Sequence, residues 1–138
     1  MELPVNRFLI QVNFDAETKE LILIKDGIVI NGGEIEIPQG IAMINFNLVA
    51  TLNAPEGLQA EFPANPIGWF TSTADTQSPV QDPLNFQVNW FTPSHFTLID
   101  FNSSLVRNSH AFNVIVAYDG NTFGADPTIV NMPPDGTT

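Results

Sequence analysis

HAFNVIVAYDGNTFGADPTIV, residues 110–130, is the stretch against which the rest of the 138-residue chain reads as a set of partners. Phe112, Val114, Val116 and Tyr118 alternate with Asn113, Ile115 and Ala117. That is the period of two expected of a strand with one buried face. Asp119-Gly120 then supplies a dipeptide that tolerates the positive φ of a tight turn. Asp126-Pro127 interrupts pairing in the segment that follows, and Thr128-Ile129-Val130 resumes a short β-prone run.

Working outward, the same signals recur. Phe8, Ile10, Val12 and Phe14 alternate through residues 5–14, and ELILIK (20–25) and Ile28-Val29-Ile30 flank the turn pair Asp26-Gly27. Glu34-Ile35-Glu36-Ile37 places acid on one face and isoleucine on the other, which suits an edge strand that resists self-pairing. Residues 41–53 form the longest apolar run, with Ile44, Phe46, Leu48, Ala50 and Leu52 expected on one face. Its Ile, Phe, Val, Thr and Asn are poor helix formers, so it reads as a strand. Residues 53–82 are cut by prolines, with a strand expected at 58–62 and a short apolar piece at 67–70. Alternation returns over 84–90 and 95–101. The whole pattern predicts an all-β chain. Its expected architecture is an antiparallel β-sandwich of immunoglobulin-like or Greek-key type, with about eight or nine strands. A closed barrel is the alternative. One domain is expected over 1–131, followed by a flexible tail, 132–138.

Composition narrows the function classes. Fifteen Asp+Glu against four Lys+Arg leave a net charge of −11. Phosphate neutralisation needs clustered cations, so no nucleic acid partner and no anionic membrane surface is expected. Eleven Phe against one Tyr point to a core of rings that need no hydrogen-bond partner. The absence of Cys removes disulfides, thiolate catalysis and zinc–thiolate sites. The opening MELPVNRFLIQVNF alternates without a basic leader and reads as a first strand, so a cytoplasmic protein is expected.

Catalytic constellations are not legible. His95 and His110 each stand at the start of a β-prone run and read as turn or strand-end residues. Ser94 and His95 are neighbours on an extended chain, so their side chains point to opposite faces and make no catalytic pair. The acids Glu34, Glu36, Asp75, Asp82 and Asp100 are scattered, which leaves a glycoside-hydrolase pair unsupported. No catalytic residue is assigned, and the protein is expected not to be an enzyme. Asp119, Asn121 and Asp126 are the one oxygen set that a calcium ion could use, across a hairpin. The preferred reading gives Asp119 to the turn and Asp126 to the kink before Pro127, with no cofactor.

Binding residues are easier to nominate. Trp69-Phe70 and Trp90-Phe91 can stack on sugar rings or anchor a protein, although both Trp residues equally suit a core. Asn45, Asn47, Asn85, Gln87, Asn89 and Asn113 fall on expected outer faces and make an amide-rich surface with little charge. Trp69, Phe70, Trp90, Asn85 and Asn89 are therefore the candidate ligand-binding residues. A homo-oligomeric or protein partner is expected first, and a neutral glycan second.

The closing segment FNVIVAYDGNTFGADPTIVNMPPDG resembles the C-terminal signature of the small bacterial DP-EP family. Asp126-Pro127 matches the first of its name-giving dipeptides, and Met132-Pro133 stands where Glu-Pro is expected. More distantly, the layout resembles the PixA/AidA inclusion-body proteins, which are bacterial β-sandwiches. Neither resemblance implies an activity or carries catalytic residues to this chain.

Overall fold

The computed structural model describes residues 5–74, 86–102 and 108–132, with residues 69–74, 90 and 108 described by their backbone. Among these lie eleven strands. They are β1 (Asn6–Asp15), β2 (Glu20–Lys25), β3 (Ile28–Val29), β4 (Glu34–Ile37), β5 (Ala42–Leu52) and β6 (Ile67–Ala74). They continue with β7 (Phe86–Thr92), β8 (His95–Asp100), β9 (Asn108–Tyr118), β10 (Asn121–Ala125) and β11 (Thr128–Asn131). The chain is all-β, and among the described residues no helix is long and apolar enough to cross a membrane.

One sheet has six strands in the order β3-β2-β1-β5-β8-β7. The other joins β10, β9, β11 and β4, with β6 also on β9. Both sheets are mixed, because β1 runs parallel to β5 and β4 runs parallel to β11. This corrects the expectation of wholly antiparallel pairing, and the strands are more numerous than expected. Hairpin signals in a sequence report neighbours only, whereas both parallel pairs join segments far apart in the chain.

The opening stretch folds as its alternation dictates. Phe112, Val114, Val116 and Tyr118 are buried on β9, and Asn113, Ile115 and Ala117 are half-buried on the opposite face. Asp119 and Gly120 both take positive φ, 49° and 80°, the conformation of a type I′ hairpin turn. Asp26 and Gly27 repeat it between β2 and β3, at 53° and 78°. On β9, Val114 stands opposite Ile67 on one edge and Ala125 on the other. Ala125 opposite Val114 and Thr128 opposite Ala111 preserve one register, so β10 and β11 are a single strand interrupted at Asp126-Pro127. The edge freed there is used: Gly32 N–H donates to Asp126 O and Thr128 N–H donates to Gly33 O, which brings β4 alongside β11.

The inner faces of the two sheets share one core. Phe14 meets Tyr118 and Phe123 at ring-centroid distances of 5.0 and 5.2 Å, and Phe46 meets Phe112 edge-on at 6.3 Å. Phe46 also stacks on Phe96, which receives the edge of Phe62. Phe62 belongs to the segment expected as a strand at 58–62. There the structure has a single bridge, Glu61 opposite Ala117, with Phe62 N–H donating to Pro93 O.

One face assignment changes. On β5, Leu48 pairs with Val12 but Ala50 pairs with Asn13, so Val49 is the extra residue of a bulge and is exposed. Beyond it the alternation inverts. Thr51, opposite the buried Phe14, turns inward and accepts a hydrogen bond from Ala60 N–H, while Leu52 is exposed.

Candidate binding face

The outward face of the six-stranded sheet gathers most of the amides singled out from the sequence. Register fixes the rows. Leu9, Asn45, Thr97 and Asn89 stand side by side across β1, β5, β8 and β7. Arg7, Met43, Ile99 and Gln87 form the next row, and Gln11, Asn47 and His95 the row beyond. Between Arg7 at one end of β1 and Asp15 at the other, these positions carry amide, hydroxyl, thioether and aliphatic groups and the His95 imidazole.

Asn45 is the hub of this face. Its Oδ1 accepts from Thr97 Oγ1 at 2.7 Å and lies 3.4 Å from His95 Nε2. Its Nδ2 donates to Phe8 O at 3.4 Å. Thr97 is consequently buried although it points outward, and His95 is half-buried beside it. Gln87 Nε2 donates to Asn89 Oδ1 at 3.4 Å, with Gln87 exposed and Asn89 half-buried. These amides present donors and acceptors from a rigid strand scaffold, the chemistry that matches neutral hydroxyl groups.

The other nominated residues scatter. Asn113 lies on β9, in the second sheet. Trp69 and Phe70 lie on β6 and Trp90 on β7, strands of different sheets, so one binding surface does not follow from their backbones. The side chains of these three aromatics, and all of Asn85, lie outside the described residues, as does the expected tail beyond Met132.

Asp119 and Asn121 are exposed at the β9–β10 turn, whereas Asp126 lies past the far end of β10. Five strand residues put about 17 Å between the two ends, so the trio does not converge on one ion. Asp119 serves the turn and Asp126 the interruption. His110 is corrected as well, since it lies within β9, buried, with its ring edge-on to Phe86 at 4.8 Å.

A second polar group was missed by sequence reasoning. Asp100, Asn102 and Asn131 are fully buried where β8 ends beside β11 and the end of β4. The alternation Phe96, Leu98, Asp100 held the signal, because it places a carboxylate on the apolar face of a strand. Asp15, by contrast, is a surface carboxylate whose ordinary pKa is lowered, first by the Asn53 side-chain amide and then by backbone N–H groups of the turn. No family model matches this chain, and no curated protein is similar to it.

Proposed function

We propose that the protein acts by assembly, joining a second copy of itself or a protein partner through the β3 edge of the six-stranded sheet, without catalysis. One observation carries the reading. Ile28 and Val29, the whole of β3, are 67% and 58% exposed, and Leu9, on the same face as Val29, is 50% exposed. Val29 stands opposite Ile24, and Ile24 opposite Gln11, so Val29, Ile24 and the neighbouring Leu9 make an apolar stripe facing outward. Leu9, Gln11, Ile24, Asp26 and Gly27 line a shallow hollow of about 190 Å³ beside it.

Two other edges are guarded. β4 carries Glu34 and Glu36 on its exposed side. The neighbouring edge of β2 is closed by Asn31, whose Oδ1 accepts from Leu23 N–H and whose Nδ2 donates to Leu21 O. β3 has neither device, and natural sheets seldom leave an aliphatic edge bare unless something covers it. Burying three aliphatic side chains contributes roughly 5 kcal/mol, which needs further contacts to reach the roughly 8 kcal/mol of a micromolar complex. The reading places the chain in the cytoplasm, as a β-sandwich of Greek-key type resembling the DP-EP family.

Val29→Lys tests the assembly reading, because a charge on the stripe opposes burial while leaving the core untouched. Gel filtration with light scattering is expected to show a smaller mass for the variant than for the wild type. Equal masses for the two proteins contradict self-assembly through this edge.

A second reading rests on the amide rows. Gln11, Asn45, Asn47, Gln87 and Asn89 share one face with Thr97 and His95, which supports binding of a neutral glycan. A saccharide bound to the folded state alone raises the melting midpoint, by about 2.7 kcal/mol of stability at a hundredfold excess over Kd. A flat response across a saccharide panel leaves assembly alone.

A further inference from the structure

The inner face of the six-stranded sheet ends in the row Asn6, Ala42, Asp100 and Phe86, read across β1, β5, β8 and β7. Asp100 is fully buried there. Its Oδ1 accepts two hydrogen bonds, from Asn102 N–H at 3.0 Å and from Asn131 Nδ2 at 3.2 Å. Asn131 belongs to β11, so the second bond crosses from one sheet to the other. Asn102 Nδ2 adds contacts to the carbonyl oxygens of Ile37 at 3.1 Å, Pro38 at 2.8 Å and Met132 at 3.4 Å. Three buried side chains thus tie the end of β8 to the ends of β4 and β11.

Asp100 Oδ2 and Asn131 Oδ1 are buried without a hydrogen-bond partner. Both are acceptors while the carboxylate is ionised, and a buried acceptor left unpaired costs about 1–3 kcal/mol, more when charged. They are also the two remaining oxygens of planar groups already joined through Oδ1 and Nδ2. A single proton on Asp100 Oδ2 would relieve both atoms. Asn131 Nδ2 already donates to Asp100 Oδ1, and an Oδ2–H donating to Asn131 Oδ1 would close the cyclic pair that a carboxylic acid makes with a primary amide.

Among the described residues, β4, β5, β7, β8, β9 and β11 carry neither Lys nor Arg. Their titratable groups are Glu34 and Glu36, exposed on β4, and His95, at the opposite end of β8 and facing outward. Tyr118, at the far end of β9, and His110, whose ring meets Phe86 across from Asp100, complete the set. On β1, Arg7 faces outward beside Met43, and Asp15 lies at the strand's other end. Burial pushes the Asp100 carboxyl up to about 7 against the opposing pull of its two hydrogen bonds.

We propose that Asp100 is held as the neutral acid in the folded protein, closing a carboxyl–carboxamide pair with Asn131 that latches the two sheets together and loosens when the proton leaves. Deprotonation transfers that proton to hydroxide or water and breaks the Oδ2–H···Oδ1 bond. A carboxylate oxygen then faces an amide oxygen inside the protein, and the latch weakens.

Carbon-13 NMR of uniformly labelled wild-type protein reads the proton directly. The Asp100 Cγ resonance is expected to move from its acid to its carboxylate position with a midpoint at about 7. A resonance that stays at the carboxylate position down to about pH 5 overturns the assignment. Thermal melts give the second arm. The wild-type midpoint is expected to fall between about pH 5 and about pH 8, and Asp100→Asn, whose amide can donate the same bond, to remove most of that fall. A variant that folds and retains the whole wild-type fall assigns the pH dependence elsewhere and overturns the latch.

Discussion

Asp100 sets the pH dependence expected at the scale of single residues. Its folded pKa is raised from 3.8 to about 7, so its contribution favours the fold fully below the unfolded value and is lost as pH rises towards the folded one. A shift of that size corresponds to about 4 kcal/mol, lost across that window. Asp15 has the opposite sign, since its folded pKa is lowered and its small surface contribution disappears only as pH falls below the ordinary carboxylate range. Urea denaturation as a function of pH is therefore expected to show stability falling from mildly acidic to neutral solution. A rise over the same range contradicts the sign assigned to Asp100. Val114 makes a second test, because it is fully buried at the centre of β9. Val114→Asp places an uncompensated charge in the core and is expected to abolish folding. A cooperative melt of that variant near the wild-type temperature contradicts the face assignment.

At the scale of elements, the β9–β10 hairpin has the tightest local requirement. Gly120 sits at φ +80°, where a β-branched residue is strained. Gly120→Val is expected to cost about 1–3 kcal/mol, read as a lower denaturation midpoint, and an unchanged midpoint contradicts the turn geometry. Elements of this kind are legible from sequence because their signals are local. Alternation from Phe112 to Tyr118 and the turn pairs Asp26-Gly27 and Asp119-Gly120 need no distant partner. β6 was hidden by its setting. Pro63, Pro66 and Gly68 argue against a strand, yet Pro66 needs no N–H there, and its carbonyl accepts from Ile115 N–H at 2.8 Å before β6 begins. The Val49 bulge was hidden for another reason, since each residue from Ala42 to Leu52 suits a regular strand and only the pairing with β1 reveals the extra one. The candidate face was half legible. Alternation put Asn45, Asn47, Gln87 and Asn89 outward, but their assembly into rows depends on the β1–β5 and β5–β8 registers.

Across the whole molecule, two mixed sheets share one core and differ in how their margins are treated. β4 is guarded by glutamates and held to β11, and Asn31 closes the backbone of β2 beyond the short β3. The β3 margin combines two exposed aliphatic residues with Leu9 and Ile24 next to them, on a chain whose net charge of −11 otherwise favours separation of copies. Repulsion between like-charged copies is screened by salt, whereas apolar burial is not weakened by it. Self-association through this margin is therefore expected to strengthen as ionic strength rises. Sedimentation velocity of the wild-type protein over a concentration series, at low and moderate salt, reads this most directly. Assembly through the β3 edge requires a species heavier than the 15.1 kDa chain that grows with concentration and with salt. A single 15.1 kDa species throughout the series contradicts self-assembly.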